Sequence, residues 1–186
     1  SCGCGIFLIS TIKHIKSLTN ISISNIIKNN LFGIDLQKEN IERVKILISL
    51  YAIINDEDNE EYKFNLKCCD SLFNDWKIIF NVNKFDYIFG NPPYINNHDL
   101  KDEYISLLKS NFETTQEGTF NIFYAFIEKS SIYLSDTGKV GYIIPNNFLH
   151  IKSAKKLRQY IKNNNLLNTI IDFKDNTVFS PVLTYN

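Results

Sequence analysis

The segment Asn91-Pro92-Pro93-Tyr94 combines residue types that can hold an amino group in place. Two successive prolines fix backbone dihedrals and remove two amide donors, leaving carbonyl acceptors and one carboxamide rigidly aimed. An aromatic ring follows at once. Fixed acceptors beside an aromatic face suit an exocyclic amine on a planar substrate, with both N–H bonds accepted while the ring stacks on Tyr94. A proline-rich turn with a packed tyrosine uses the same four residues, so their place in the fold decides between the readings. Asn91 closes a short apolar run, Phe85 to Gly90. Asp35 closes Leu31 to Ile34, and Asp70 closes the alternating stretch from Tyr62 to Cys69. All three runs are expected to be strands.

Helices are expected between them. Phe7, Leu8, Ile12 and Ile15 have helical spacing after Gly5, and Ile41, Val44, Leu47, Ile48 and Tyr51 form one face from about Lys38 to Ile54. Thr19 to Asn30 is polar, with Ile26 and Ile27 as a short apolar interruption, and Asp56 to Glu61 is expected to be a solvated acidic loop. Helical patterns run from His98 to Phe112 and from Phe120 to Leu134, the second stopped by Asp136-Thr137-Gly138. A strand is expected over Val140 to Ile144, a helix over Asn147 to Asn163, and closing strands over Leu166 to Phe173 and Val178 to Tyr185. Strands alternating with helices imply an α/β fold, a mostly parallel sheet with helices on both faces. Ligands of such sheets bind at the carboxyl ends of the strands, where Asp35, Asp70 and Asn91 lie. A glycine-bearing loop opens the chain at Ser1. Such a loop normally follows a central strand, so the chain reads as an internal fragment with its first central strand missing.

Composition narrows the function classes. The 186 residues carry zero formal net charge, 44% hydrophobic and 22% charged residues, which suits one globular domain without an internal linker. No apolar run reaches the roughly 18 residues of a membrane span and no signal-peptide layout is present, so a soluble, cytoplasmic setting is expected. Duplex affinity needs an excess of Lys and Arg, so any strong grip on nucleic acid must come partly from elsewhere. Cys2, Cys4, Cys68 and Cys69 form C-x-C and C-C pairs, and His14, His98 and His150 are scattered; this is metal-site spacing for neither, and reduced thiols are expected. Trp76 and the phenylalanines read as core. The lysine face at Lys152, Lys155, Lys156 and Arg158 reads as solvated.

Together with the Asn91 to Tyr94 motif, Ser1-Cys2-Gly3-Cys4-Gly5-Ile6-Phe7-Leu8 and the stretch from Gly118 to Leu149 resemble the S-adenosylmethionine-dependent N6-adenine DNA methyltransferases of restriction-modification systems, particularly the fused restriction-methylation type. The resemblance implies a Rossmann-like methyltransferase catalytic domain over residues 1–186. It implies that Ser1, Cys2, Gly3 and Gly5 form the loop against the methionine part of the cofactor, small residues allowing close approach. Asp35, with Leu36 beside it, would accept the ribose hydroxyls. Asp70 would accept the cofactor's adenine amine, with Ser71 beside the ring; on the residues alone Asp70 equally suits an ordinary turn. Asn91 and the Pro92 carbonyl would accept both hydrogens of the target amine, and no metal is needed for the transfer. Tyr94 and Phe179 would sandwich a base flipped out of double-stranded DNA; Phe179 suits core packing as well.

The family's acidic residue and proline before the glycine loop would lie ahead of Ser1, and its target-recognition domain beyond Asn186. Asn121 stands where the family usually has Asp. Three other readings use the same motif or none of it: a glutamine N5 methyltransferase acting on release factors, an RNA amino-methyltransferase, and an inactive truncated relic.

Overall fold

A computed structural model describes residues 2–57 and 61–173. Helices α1 (Ile6–Leu18) and α2 (Ile23–Asn29) precede strand β1 (Phe32–Asp35), helix α3 (Lys38–Ile54), strand β2 (Asn65–Cys68) and helix α4 (Trp76–Phe80). Strand β3 (Phe85–Gly90), helices α5 (Asp102–Asn111) and α6 (Phe123–Tyr133), strand β4 (Leu134–Tyr142) and helix α7 (Lys155–Asn163) complete the order. The expected parallel pairing is present as two two-stranded ribbons. β1 pairs with β2 from Phe32↔Asn65 to Asp35↔Cys68, and β3 pairs with β4.

Each ribbon has its own apolar cluster. Ile12, Ile23, Ile26, Ile27, Val44 and Ile48 join α1, α2 and α3 over the first. Leu108, Phe112, Phe120, Phe123, Tyr124 and Leu157 join α5, α6 and α7 beside the second. Aromatic rings tie the halves together at the start of the strands. Phe32 at the head of β1 meets Phe85 at the head of β3 edge to face, with centroids 5.3 Å apart, and Trp76 stacks on Tyr133 at 4.9 Å. With β1 and β3 joined at their first residues, their carboxyl ends, Asp35 and Gly90, are brought to a common side. The edge of β1 away from β2 is used as well. The Asp35 carbonyl accepts from Cys69, just past β2, so the preceding Ile34 carbonyl points the other way, and there it accepts from the Cys2 amide at 2.8 Å.

Several elements differ from the pattern expected. The polar stretch before β1 contains α2, because Ser22 caps its first turn through Asn25 N–H and Ile23, Ile26 and Ile27 are all buried. β4 begins at Leu134 rather than Val140. Leu134 already pairs with Phe85, the chain then slips register, and pairing resumes at Lys139 opposite Tyr87. Gly138 sits inside this irregularity, where a Cβ would stand 2.8 Å from Leu134 and 3.0 Å from the Asp86 carbonyl. The helix expected from Asn147 is broken before α7. Arg158 donates to the carbonyls of Phe148 and Ile151 at 2.7 and 2.8 Å, satisfying acceptors that a continuous helix would have used itself. Residues 164–173 form no strand: Leu167, Ile170, Ile171 and Phe173 are exposed, and alternation without a partner strand fixes no sheet. The closing strand expected over Val178 to Tyr185 lies outside the described residues.

Nor is the acidic loop simply solvated. Glu57 accepts from Lys16 Nζ at 2.6 Å and from the Ile23 amide at the start of α2, joining the ends of three helices. Burial works against the charged carboxylate, but the hydrogen bonds and the Lys16 charge outweigh it and hold its pKa below the ordinary value. A depressed carboxylate stabilises the fold in its ionised form. The contribution is whole above the ordinary glutamate pKa of about 4.3, declines below it, and is gone once the pH has fallen through the lower folded value. We expect Glu57→Gln to flatten that acid decline of stability, read from urea unfolding at stepped pH. An unchanged slope would remove Glu57 from this role.

Candidate active site

The glycine loop and the end of β1 build one wall. Gly5 has φ +84° at the entry to α1, and a Cβ there would lie 2.9 Å from a Val44 methyl, so the turn needs glycine on two counts. Gly3, at φ +52°, has open space where a Cβ would stand and donates its amide to Asp35 Oδ2 at 2.9 Å. Asp35 is 4% exposed, and its Oδ1 also accepts from Gln37 N–H (3.1 Å) and Asn40 Nδ2 (2.9 Å). Three donors therefore fix this carboxylate. Leu36, next in sequence, is 69% exposed.

Asp70 stands just past the end of β2. Its Oδ1 accepts from Leu72 N–H at 2.8 Å, its backbone carbonyl accepts from Asn74, and the Ser71 carbonyl accepts from Trp76 Nε1, so the turn is pinned on both sides. Oδ2 accepts from the Tyr104 hydroxyl on α5 at 2.8 Å. Burial, and after it the bonded Asp70 carboxylate, hold the Tyr104 phenol well above its ordinary pKa, which keeps it a donor.

Asn91 to Tyr94 leaves the end of β3, where the Gly90 carbonyl accepts from Ile143 N–H beyond β4. Pro92 is buried and Asn91 exposed. The Tyr94 hydroxyl lies against both Asn91 Oδ1 and the Ile143 carbonyl, while its ring meets Phe123 edge to face at 6.3 Å and is 42% exposed. The chain after this motif is laced to the entry of α6 through Asn97 N–H to the Phe120 carbonyl and Ile122 N–H to the Ile95 carbonyl. Asn121 belongs to that lacing. Its Nδ2 donates to Asn96 Oδ1 at 3.2 Å and its Oδ1 accepts from Phe123 N–H at 3.4 Å, a donor-and-acceptor pair that an ionised aspartate cannot supply.

One cleft of about 600 Å³ gathers Gly3, Asp35, Leu36, Asp70, Ser71, Asn91 and Pro93. Its size falls within the range of small-molecule sites. Of the residues expected at the site, Cys2 and Gly5 shape the loop without lining the cleft. The Cys2 side chain packs on the α1–α3 cluster, and burial, then the Asp35 charge, push its thiol up to about 11. Pro92 sits beneath the motif, and Tyr94 stands next to Asn91. Ser1 and Phe179 lie outside the described residues.

Gln37, Asn40, Leu100, Tyr104, Ile122 and Phe126 also line the cleft. Ile122, just before α6, and Phe126 on it are spaced i, i+4, a pattern that reads as core until the neighbouring wall is known. Asn40 carried a usable signal, standing in the first turn of the helix that follows the strand-ending acid. The arrangement offers two carboxylates for donors about a nucleoside, apolar side chains for a flat ring, and a carboxamide beside an aromatic ring. Among the described residues no group of three or more His, Cys, Asp or Glu is placed to hold a metal, and no helix is long and apolar enough to cross a membrane.

Comparison with known proteins adds a family and relatives. The model of the Eco57I restriction-modification methylase family matches residues 29–179. The Type II methyltransferase M.AccI of Acinetobacter calcoaceticus is 32% identical over 152 residues, covering 80% of this chain and 27% of that protein. The Type II restriction enzyme and methyltransferase RM.Eco57I of Escherichia coli is 32% identical over 117 residues, 58% of this chain and 12% of that protein. M.BanIII of Aneurinibacillus aneurinilyticus is 28% identical over 97% of this chain and 30% of its own length. The chain thus spans less than a third of each of these relatives. Among solved structures, a Listeria monocytogenes protein described as a class I S-adenosylmethionine-dependent methyltransferase superposes with a TM-score of 0.62 at 17% identity, over 88% of this chain and 43% of that one, which shows the fold. With the family model matched across most of its length and the methyltransferase fold beneath it, the chain belongs to the Eco57I restriction-modification methylase family.

Proposed function

We propose that this chain carries the catalytic part of an S-adenosylmethionine-dependent DNA methyltransferase that methylates the exocyclic N6 amine of adenine. The observation that carries the reading is the meeting of Asp35, Asp70 and Asn91, from three separate strand ends, in one cleft. The cleft's donor and acceptor set fits the cofactor. Gly3 leaves room against the loop, Asp35 keeps acceptor capacity on Oδ2 for a ribose hydroxyl, and Asp70 lines the cleft with Pro93, Leu100, Ile122 and Phe126, whose apolar surfaces suit a purine ring. S-adenosylmethionine supplies a methyl group on a sulfonium, which departs as a neutral thioether.

The chain's own residues then have positioning to do. Asn91 Oδ1 and the Pro92 carbonyl accept the two amine hydrogens, drawing the nitrogen lone pair out of conjugation and toward the methyl carbon. Held this way, the nitrogen would be placed to take the methyl group as the carbon–sulfur bond breaks, its extra proton leaving to solvent. In-line placement and electrostatic alignment supply the acceleration, with no strong base required. Tyr94 offers its ring to a base extruded from the duplex, offsetting an unstacking cost of a few kcal/mol. With zero net charge on this segment, the grip on DNA is assigned to other parts of the protein.

The test is transfer of labelled methyl from S-adenosylmethionine by the complete protein to unmethylated DNA, beside RNA and release-factor protein, with the products digested and separated. Label in N6-methyladenine is expected. Label confined to glutamine in protein, or to RNA, would keep the amine chemistry and overturn the DNA assignment. No label from folded protein would mark an inactive relic.

A further inference from the structure

The Tyr104 hydroxyl is bonded to Asp70 across 34 residues of sequence, and nothing in the chemistry above uses it. Tyr104 is held from two sides. It is carried on α5, and its ring meets Phe73 edge to face with centroids 5.2 Å apart. Phe73 lies three residues after Asp70 and packs on the cluster that includes Phe112 and Leu108. The hydroxyl therefore reaches Asp70 from a rigid support. A carboxylate oxygen has two acceptor directions. Oδ1 gives one to Leu72 N–H and Oδ2 gives one to Tyr104, which leaves one free on each oxygen and fixes the plane of the carboxylate. Without the tyrosine hydroxyl, Leu72 alone would hold Oδ1 and the group would be free to turn about its terminal bond. Asp70 and Tyr104 both line the cleft, with Leu100 and Phe126.

We infer that Tyr104 is a positioning residue for cofactor selectivity: it aims Asp70 so that the site distinguishes a purine bearing a 6-amino group from one bearing a 6-oxo group. The inference rests on the proposed role of Asp70 toward the cofactor's adenine amine. An amine donates to the aimed carboxylate, whereas a 6-oxo group presents an acceptor to it and is rejected. The chemistry proposed above gives Tyr104 no part toward the methyl group or the target base, so its removal is expected to act on recognition of the purine edge.

The experiment measures binding of S-adenosylhomocysteine and S-inosylhomocysteine to the complete protein by calorimetry, for wild type, Tyr104→Phe and Asp70→Ala. Tyr104→Phe keeps the ring on Phe73 and so preserves the packing. It is expected to lower the adenosyl-to-inosyl affinity ratio about tenfold, the worth of one aligned hydrogen bond, and Asp70→Ala to lower it at least as far. A ratio lowered by Asp70→Ala but unmoved by Tyr104→Phe would leave Asp70 in its role and overturn the inference about Tyr104. Equal weakening of both analogues in Tyr104→Phe would also overturn it, because a merely structural defect does not read the purine edge. A ratio unmoved by Asp70→Ala would remove Asp70 from adenine recognition, and the role of Tyr104 with it.

Discussion

Asn91→Ala is expected to reduce methyl transfer by about 10²–10³-fold, the cost of removing one preorganised polar partner from a reacting centre, while cofactor affinity stays within about twofold. Asn91 is fixed at the end of β3, where the Gly90 carbonyl is held by Ile143 N–H and the next residue is a buried proline. The carboxamide therefore starts from a backbone that does not have to be organised at the moment of reaction. In the proposed mechanism its loss would leave the Pro92 carbonyl as a single acceptor, and the amine lone pair would return toward conjugation with the ring. The cofactor contacts proposed above fall on Gly3, Asp35 and Asp70 and not on Asn91, which separates the two readouts. Single-turnover transfer of labelled methyl measures the first and calorimetry with S-adenosylhomocysteine the second. Transfer that survives Asn91→Ala would remove Asn91 from catalysis, and a collapse of both quantities together would make it a structural residue.

The strand ends were the most readable part of the sequence. Asp35 and Asn91 stand directly after apolar runs, and β1, α3 and β3 fall where those runs and the α3 periodicity place them. What the pattern did not carry depends on contacts distant in sequence. α2 is stabilised by Glu57, 34 residues beyond Ile23, and the break before α7 follows from Arg158 reaching back to Phe148 and Ile151. Tyr104 shows the same limit at the site. Nothing local distinguishes it from any tyrosine on an amphipathic helix, and only the turn of chain that brings α5 beside β2 puts its hydroxyl on Asp70. Ile122 and Phe126, at the entry and in the first turns of α6, belong to the core cluster and also wall the cleft, a double duty that periodicity does not show. Cys2 differs in the other direction. A motif position suggests contact with ligand, but the fold uses its amide to hold β1 and packs its side chain on the helices.

Tyr94 separates into a ring and a hydroxyl, and two substitutions are expected to show that they do opposite things. A phenol has one O–H, so at any moment Tyr94 donates either to Asn91 Oδ1 or to the Ile143 carbonyl. When it donates to Asn91 it takes one of the two acceptor directions of the oxygen proposed to hold the target amine. Burial raises the Tyr94 pKa, so the proton is not lost to relieve the competition. Tyr94→Phe retains the ring against Phe123 and leaves Asn91 unencumbered; transfer to duplex DNA is expected to remain at least within about twofold of wild type. Tyr94→Ala removes the stacking surface, worth about 1–3 kcal/mol per base, and transfer is expected to fall about 10- to 100-fold. The deficit of the alanine variant should shrink on a duplex with a mismatch opposite the target adenine, because less unstacking energy then has to be offset. Parallel single-turnover rates on matched and mismatched duplexes measure both effects. A phenylalanine variant as slow as the alanine variant would make the hydroxyl the active element. Equal alanine deficits on the two duplexes would mean that Tyr94 does not support an extruded base, and its exposed ring beside Asn91 would need another partner.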